Sequence, residues 1–164
     1  MDAKKNKAQE KTNVIRQVES LGLACREYTY EPDASLTGAD VARILGQDPG
    51  QVFKTLVTTG KSGGHYVFMI PVEEELDLKK AARAVGEKAI EMLKSKDLLG
   101  LTGYIHGGCS PIGMKKQFPT TVDETAQLYD TIVFSAGRIG HQIELAPDDL
   151  ARVVPIEYAD LIKE

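Results

Sequence analysis

The stretch GQVFKTLVTTG, residues 50–60, runs into KSGG and then into HYVFMIP. Two apolar runs around a glycine-rich reversal read as a β-hairpin, 52–58 against 65–70. In the first strand Val52, Leu56 and Thr58 share one face, and Phe53, Thr55 and Val57 the other. A strand apolar on both faces has to be covered on both sides, so this hairpin demands a layered fold. Lys54 interrupts the Val52/Leu56 row. It has two readings. Either it is an edge-strand lysine whose stem packs while its ammonium stays in water, or it points into a cleft where an anionic or polarised ligand replaces water. In the second case burial lowers its pKa and a nearby anion raises it again. The residues alone leave both open.

The remaining elements follow from pattern and punctuation. Val14, Val18 and Leu21 recur at helical spacing and Gly22 ends that helix. CREYTYE alternates as a strand does. PDASLTGADVARILG passes from turn residues into a helix with Val41, Ile44 and Leu45 inward and Gly46 as its stop. DLKKAARAVG is a helix with Leu78, Ala82 and Val85 on one face. KAIEML reads as a short strand and SKDLLGLTG as a short helix begun by Ser95. LYDTIVFSAG and GHQIELAP are strands, and PDDLARVV and YADLIK are short terminal helices. Strands and helices mix without a repeating βαβ period or a dividing linker. The expected fold is α/β or α+β: one compact domain around a strongly curved mixed sheet, with residues 1–10 as a flexible extension and 11–164 as the domain.

A chain of 164 residues can bury a sizeable core, and 42% apolar with 27% charged residues is ordinary for a globular protein. The formal charge of −4 argues against a general DNA or RNA coat, though not against gripping one end of an RNA. Only Lys79, Lys80, Arg83, Lys88, Lys115 and Lys116 offer a local footprint for phosphates. Cys25 and Cys109 make neither a disulfide framework nor a four-ligand zinc site. The opening MDAKKNKAQEK has no apolar core of a leader, and the apolar runs are too short to span a bilayer. The expectation is a reduced cytoplasmic protein with no metal and no cofactor.

Three stretches could carry chemistry besides Lys54. HGGCSPIG, residues 106–113, lets the backbone approach a ligand and turn N–H groups toward it, as an oxyanion hole does; a tight ligand-free turn has the same composition. It is neither a phosphate loop nor a dinucleotide fingerprint. FSAGRIGHQ, residues 134–142, is a candidate wall for a polar ligand or a plain turn. Cys109 with His106 or His141 invites a thiol nucleophile, but nearness in sequence establishes no Cys–His hydrogen bond. Glu73, Glu74 and Glu75 read as a solvated turn.

VFKTLV, LDLKKAARAVG, TGYIHGGCSPIGMKK, TVDE, FSAG and IELAPDDL stand in the order found in the YbaK/EbsC family of aminoacyl-tRNA deacylases, which this chain resembles over about residues 12–162. That family is similar to the editing domain of bacterial prolyl-tRNA synthetases, and its best-known members hydrolyse mischarged Cys-tRNA(Pro). The resemblance implies a catalytic set of Lys54, Gly107 and Gly108, the glycine N–H groups polarising the ester carbonyl. It implies a substrate wall of Tyr30, Thr37, Ser110, Ser135, Gly137 and Gln142. The nucleophile would come from the substrate, either its own thiol or a water held by the ribose. The implied partners are a mischarged tRNA 3′ end and prolyl-tRNA synthetase, with neither membrane nor DNA; a non-catalytic module of the same fold is the alternative. Two positions depart from the pattern. Gln142 stands where cysteine-specific members carry an aspartate, and Thr37 where a phenylalanine often stands, so the edited amino acid stays open.

Overall fold

The computed structural model describes residues 11–164; the extension expected over residues 1–10 lies outside the described residues. Five helices and eight strands follow in the order α1 Asn13–Ser20, β1 Arg26–Thr29, α2 Gly38–Ile44, β2 Phe53–Gly60, β3 His65–Pro71, α3 Leu78–Val85, β4 Ile90–Met92, α4 Ser95–Thr102, β5 Thr120–Asp123, β6 Ile132–Arg138, β7 His141–Leu145, α5 Pro147–Val153 and β8 Ile156–Ala159. The mixed α/β architecture is the one the sequence predicts, but its sheet is not a single curved surface. It is two sheets, a five-stranded one ordered β4-β2-β3-β5-β8 and a three-stranded one ordered β1-β7-β6. In the larger sheet β2 pairs antiparallel with β3 and β4, while β5 runs parallel to β3 and β8 parallel to β5.

The backbones of the two sheets are joined by one isolated parallel bridge, Val52 to Val133, where the Val133 N–H donates to the Gln51 carbonyl at 3.0 Å. Beyond it β6 pairs with β7, and β2 is left with an open edge until β4 reaches it at Thr58. The gap between those diverging strands is where the cavity described below opens.

The larger sheet is covered on both faces, as the hairpin demanded. On β3, Met69 joins a cluster with Phe53, Phe134, Ile143, Leu145 and Leu150, whereas Phe68 and Ile70 join a second one under α3 with Ala81, Ala82 and Leu161. Adjacent strand residues thus serve opposite layers. Lys54 sits opposite Ile70 in the ladder, between Leu56, which packs on the α3 cluster, and Val52, which packs with Ala42, Val72 and Val133. The lysine fills the seam between two apolar patches.

Several sequence expectations shift by a residue or a fold of the chain. Leu21 caps α1 and is 50% exposed, Ile15 taking its place in the core. In α2 the buried face is Val41 and Ala42; Ile44 lies about 110° round the helix from it and is 60% exposed. Leu78 at the first turn of α3 is likewise exposed, and Ala81 joins Ala82 in the buried face. YADLIK is no helix. Ile156–Ala159 is a strand, Leu76 and Ile162 form an antiparallel bridge, and the buried Leu161 donates its N–H to the Asp123 carboxylate at 2.9 Å. A segment that short nucleates a helix poorly, while the edge of β5 offers a ladder that satisfies the same backbone groups.

Candidate active site

Between the open edge of β2 and the start of β6 lies a cavity of about 870 Å³. Its walls carry Lys54, Gly107, Tyr30, Thr37, Ser135 and Gln142 from four separate stretches of the chain. Lys54 leaves β2 on the Leu56 face, while Cys109 packs beside Val57 on the other. The cavity bends round the strand edge to take in both Lys54 and the glycine turn.

Lys54 is half-buried, and among the described residues its ammonium has no ion pair. Burial lowers its pKa below the usual 10.5, and Glu75 and then Glu74 pull it back up. The acidic turn that read as solvent-facing therefore also favours the charged form of this amine, and Glu73 from the same turn lines the cavity. Among the described residues no other lysine lines it.

The two glycines divide. Gly107 has φ +87° and lies on the cavity wall, its N–H without a backbone acceptor among the described residues. Gly108 donates its N–H to the Ile105 carbonyl at 3.0 Å, closing the turn. It is glycine for another reason: a Cβ there would stand 3.0 Å from the Ile139 nitrogen. Of the expected pair of donors, one is committed to the turn. Ser110 is fully buried and accepts from the Ile112 N–H at 3.3 Å, beneath the wall and not on it. Cys109 does line the cavity, but burial pushes its thiol up to about 12, so it is protonated and a poor nucleophile near neutral pH.

The opposite wall is built by a bulge. Ser135 pairs with Gln142 and Arg138 with His141, which leaves Ala136 and Gly137 as extra residues on β6. Gly137 takes φ +94° and donates its N–H to Ser135 Oγ at 3.1 Å, turning away to line a different cavity. Ser135 and Gln142 face the first one together. Gln142 accepts at Oε1 from Gln47 Nε2 at 2.8 Å, so its acceptor is engaged. Tyr30 is held by its own N–H on the Gly140 carbonyl at 3.0 Å. Thr37 is the N-cap of α2, its Oγ1 accepting from Asp40 N–H while Asp40 accepts from the Thr37 N–H; its hydroxyl lone pair serves the helix first.

Sequence reasoning passed over Thr55. Gly60 donates to Gly64 at 2.7 Å and Val72 to Val52 at 2.8 Å, which fixes the register of the hairpin. Even-numbered residues of β2 then face β3, and the N–H and C=O of Thr55 point to the open edge. Val57, two residues on, already accepts from Leu93. Thr55 lines the cavity, and its buried Oγ1 has no partner among the described residues. The strand edge next to Lys54 thus offers a backbone donor and an acceptor, with the Thr55 hydroxyl on the face opposite the lysine side chain. The glycine-closed hairpin carried that signal, since its closing pair decides which groups face outward. Gln47, the residue that holds Gln142, left no comparable mark.

A family model described as the aminoacyl-tRNA editing domain matches residues 31–153. An Enterococcus faecalis protein provisionally named Cys-tRNA(Pro)/Cys-tRNA(Cys) deacylase EbsC is 49% identical over 158 residues, covering 96% of each chain. A proline–tRNA ligase of Trichlorobacter lovleyi is 26% identical over 128 residues, 77% of this chain and 22% of the ligase. A solved structure described provisionally as a trans-editing enzyme for prolyl tRNA synthetase superposes with a TM-score of 0.76 at 26% identity, covering 93% of this chain and 99% of that one.

Proposed function

The chain belongs to the aminoacyl-tRNA editing domain family, and from that premise we propose that it deacylates mischarged aminoacyl-tRNA, Cys-tRNA(Pro) foremost, with residues 11–164 as the editing domain. The carrying observation is a half-buried lysine, without an ion pair among the described residues, beside an open strand edge in one cavity that also takes in a glycine turn. An aminoacyl ester is already activated, so the site needs to hold the 3′-terminal adenosine and polarise a carbonyl, with no full triad. Lys54 supplies the fixed cation for the charge of the RNA end. The Gly107 N–H is the donor to the ester carbonyl; one such donor is worth about 3 kcal/mol of transition-state stabilisation elsewhere. The Thr55 edge and the Ser135–Gln142 wall orient the aminoacyl group and the ribose.

The nucleophile comes with the substrate. A cysteinyl thiol closing on its own ester forms a sulfur–carbon bond, breaks the carbon–oxygen bond to the ribose, and passes its proton to the departing ribose oxygen. For an amino acid without a thiol, a water held by the neighbouring ribose hydroxyl takes the same role. The protonated Cys109 is a bystander. The similarity to a proline–tRNA ligase supports prolyl-tRNA synthetase as the partner that brings the tRNA.

The test is incubation of the protein and of its Cys109→Ala variant with Cys-tRNA(Pro), Ala-tRNA(Pro) and a Ser-tRNA. Both proteins should release the amino acid, fastest from Cys-tRNA(Pro). Binding without release from any of the three would leave a non-catalytic module, and loss of release in Cys109→Ala would restore the thiol as nucleophile.

A further inference from the structure

On the other side of the β6–β7 turn a second cavity, of about 310 Å³, lies between the start of α1, the end of α4 and the β6 bulge. Lys11, Arg16, Lys115 and Arg138 line it, and among the described residues no carboxylate does. Two of these charges are already engaged: Lys11 pairs with Glu19 at 2.8 Å, and Arg138 has a partner of its own. Arg16 and Lys115 are exposed, and Lys115 reaches only a weak contact, 3.4 Å, to the Gly100 carbonyl. In a chain of net charge −4, four cations around one small hollow are a local inversion of the field.

The backbone adds to it. The eight-residue helix α1 begins at this cavity: Thr12 caps it by accepting from the Ile15 N–H, and Asn13 and Val14, whose N–H groups belong to the unsatisfied first turn, are on the wall. The position matters as much as the charge. Gly137 and Arg138 line this cavity, while the next residue, Ile139, lines the first. The two hollows are the two flanks of a single turn.

Among the basic residues that the sequence offered as a phosphate footprint, the structure separates the occupied from the available. Lys80 is held by Asp160 at 3.0 Å and by the Ile162 carbonyl at 2.7 Å. Lys115 is on the wall of the basic cavity instead.

We infer that this second cavity binds the phosphodiester groups just upstream of the terminal adenosine, so that the acceptor strand of the tRNA crosses the β6–β7 turn with its ester in the first cavity and its phosphates in the second. The inference rests on the proposed deacylase reading for the identity of the RNA. Its chemistry, an anion held by Arg16, Lys115 and a helix start, is independent of hydrolysis.

Arg16→Gln and Lys115→Gln, singly and combined in the full chain, test it with three readouts. The first is binding of a labelled single-stranded RNA ending in CCA, followed by anisotropy across a salt series. The second is kcat/KM on Cys-tRNA(Pro), and the third is kcat/KM on cysteinyl-adenosine, which has no upstream phosphate. Each substitution should weaken RNA binding and lower the slope of log Kd against log salt by about 0.7, the single-strand value for one lost phosphate contact. KM for the tRNA should rise while cysteinyl-adenosine is cleaved at the wild-type rate, which also shows that the variants fold. Unchanged RNA binding and salt slope would overturn the inference, and so would equal losses on the two substrates. If the wild-type protein cleaves neither ester, the deacylase reading fails by itself, and the anisotropy series still decides whether this cavity holds phosphates.

Discussion

Lys54 pays for its position. Its ammonium is half-buried between two apolar patches, with only the acidic turn at Glu74 and Glu75 to offset the lost water. Below both its folded and unfolded pKa values the amine is charged in either state, so the full cost of burying it is felt. That cost fades as pH rises through the lowered folded value toward 10.5. Lys54→Met keeps the stem and removes the charge, and it should raise Tm near neutral pH by roughly 2–4 °C, the shift that about 1 kcal/mol gives a domain of this size. The gain should shrink at alkaline pH. A lower Tm for Lys54→Met in a thermal melt would mean that the ammonium stabilises the fold and is not strained by it. The sequence made the odd placement visible, because a charge in a row with Val52 and Leu56 is legible from alternation alone. It could not show which anions face it, since Glu74 and Glu75 reach the lysine only through the turn that follows β3. Nor could it show that Gly108 spends its N–H on Ile105 and leaves Gly107 as the remaining donor of the pair.

One carboxylate adds side-chain hydrogen bonds across the three-stranded sheet. Glu144 on β7 accepts from Tyr28 on β1 and from Thr131 Oγ1, at 2.6 Å, just before β6. Burial pushes its pKa up, but the hydrogen bonds from Thr131 and Tyr28 outweigh that and hold it below the usual 4.5. A carboxylate with a lowered folded pKa contributes stability that is present above its unfolded value and is lost as pH falls through the folded one. Glu144→Gln should therefore lower Tm at pH 7 and flatten the acid side of the stability curve, the two proteins converging as pH drops well below 4.5. Parallel curves in a pH series of melts would refute that role. The elements themselves were mostly legible. The hairpin, β6, β7 and all five helices follow from period and from glycine stops. What failed did so for non-local reasons. Ile156–Ala159 becomes a strand because β5 offers it an edge, and the divided sheet results from β2 and β6 parting after a single bridge; neither partner is written in the segment's own residues.

At the scale of the whole molecule, that parting makes the site. Two sheets joined at Val52 and Val133 open onto a cavity whose walls come from six stretches of chain, and the second, basic cavity continues past the β6–β7 turn. The family resemblance located Lys54, Tyr30, Ser135 and Gln142 on the same hollow, whereas Ser110 and Gly137 fell outside it because a buried turn and a bulge redirect them. Among the described residues no helix is long and apolar enough to cross a membrane. The account depends on the charge at position 54 engaging a tRNA ester. Single-turnover deacylation of Cys-tRNA(Pro) by the wild-type protein and by Lys54→Ala, with thermal melts of both, tests that most directly. The expected result is a loss of at least about 100-fold in the hydrolysis rate with Tm within a few degrees of the wild type. Hydrolysis within a few-fold of the wild type by a folded Lys54→Ala protein would contradict it.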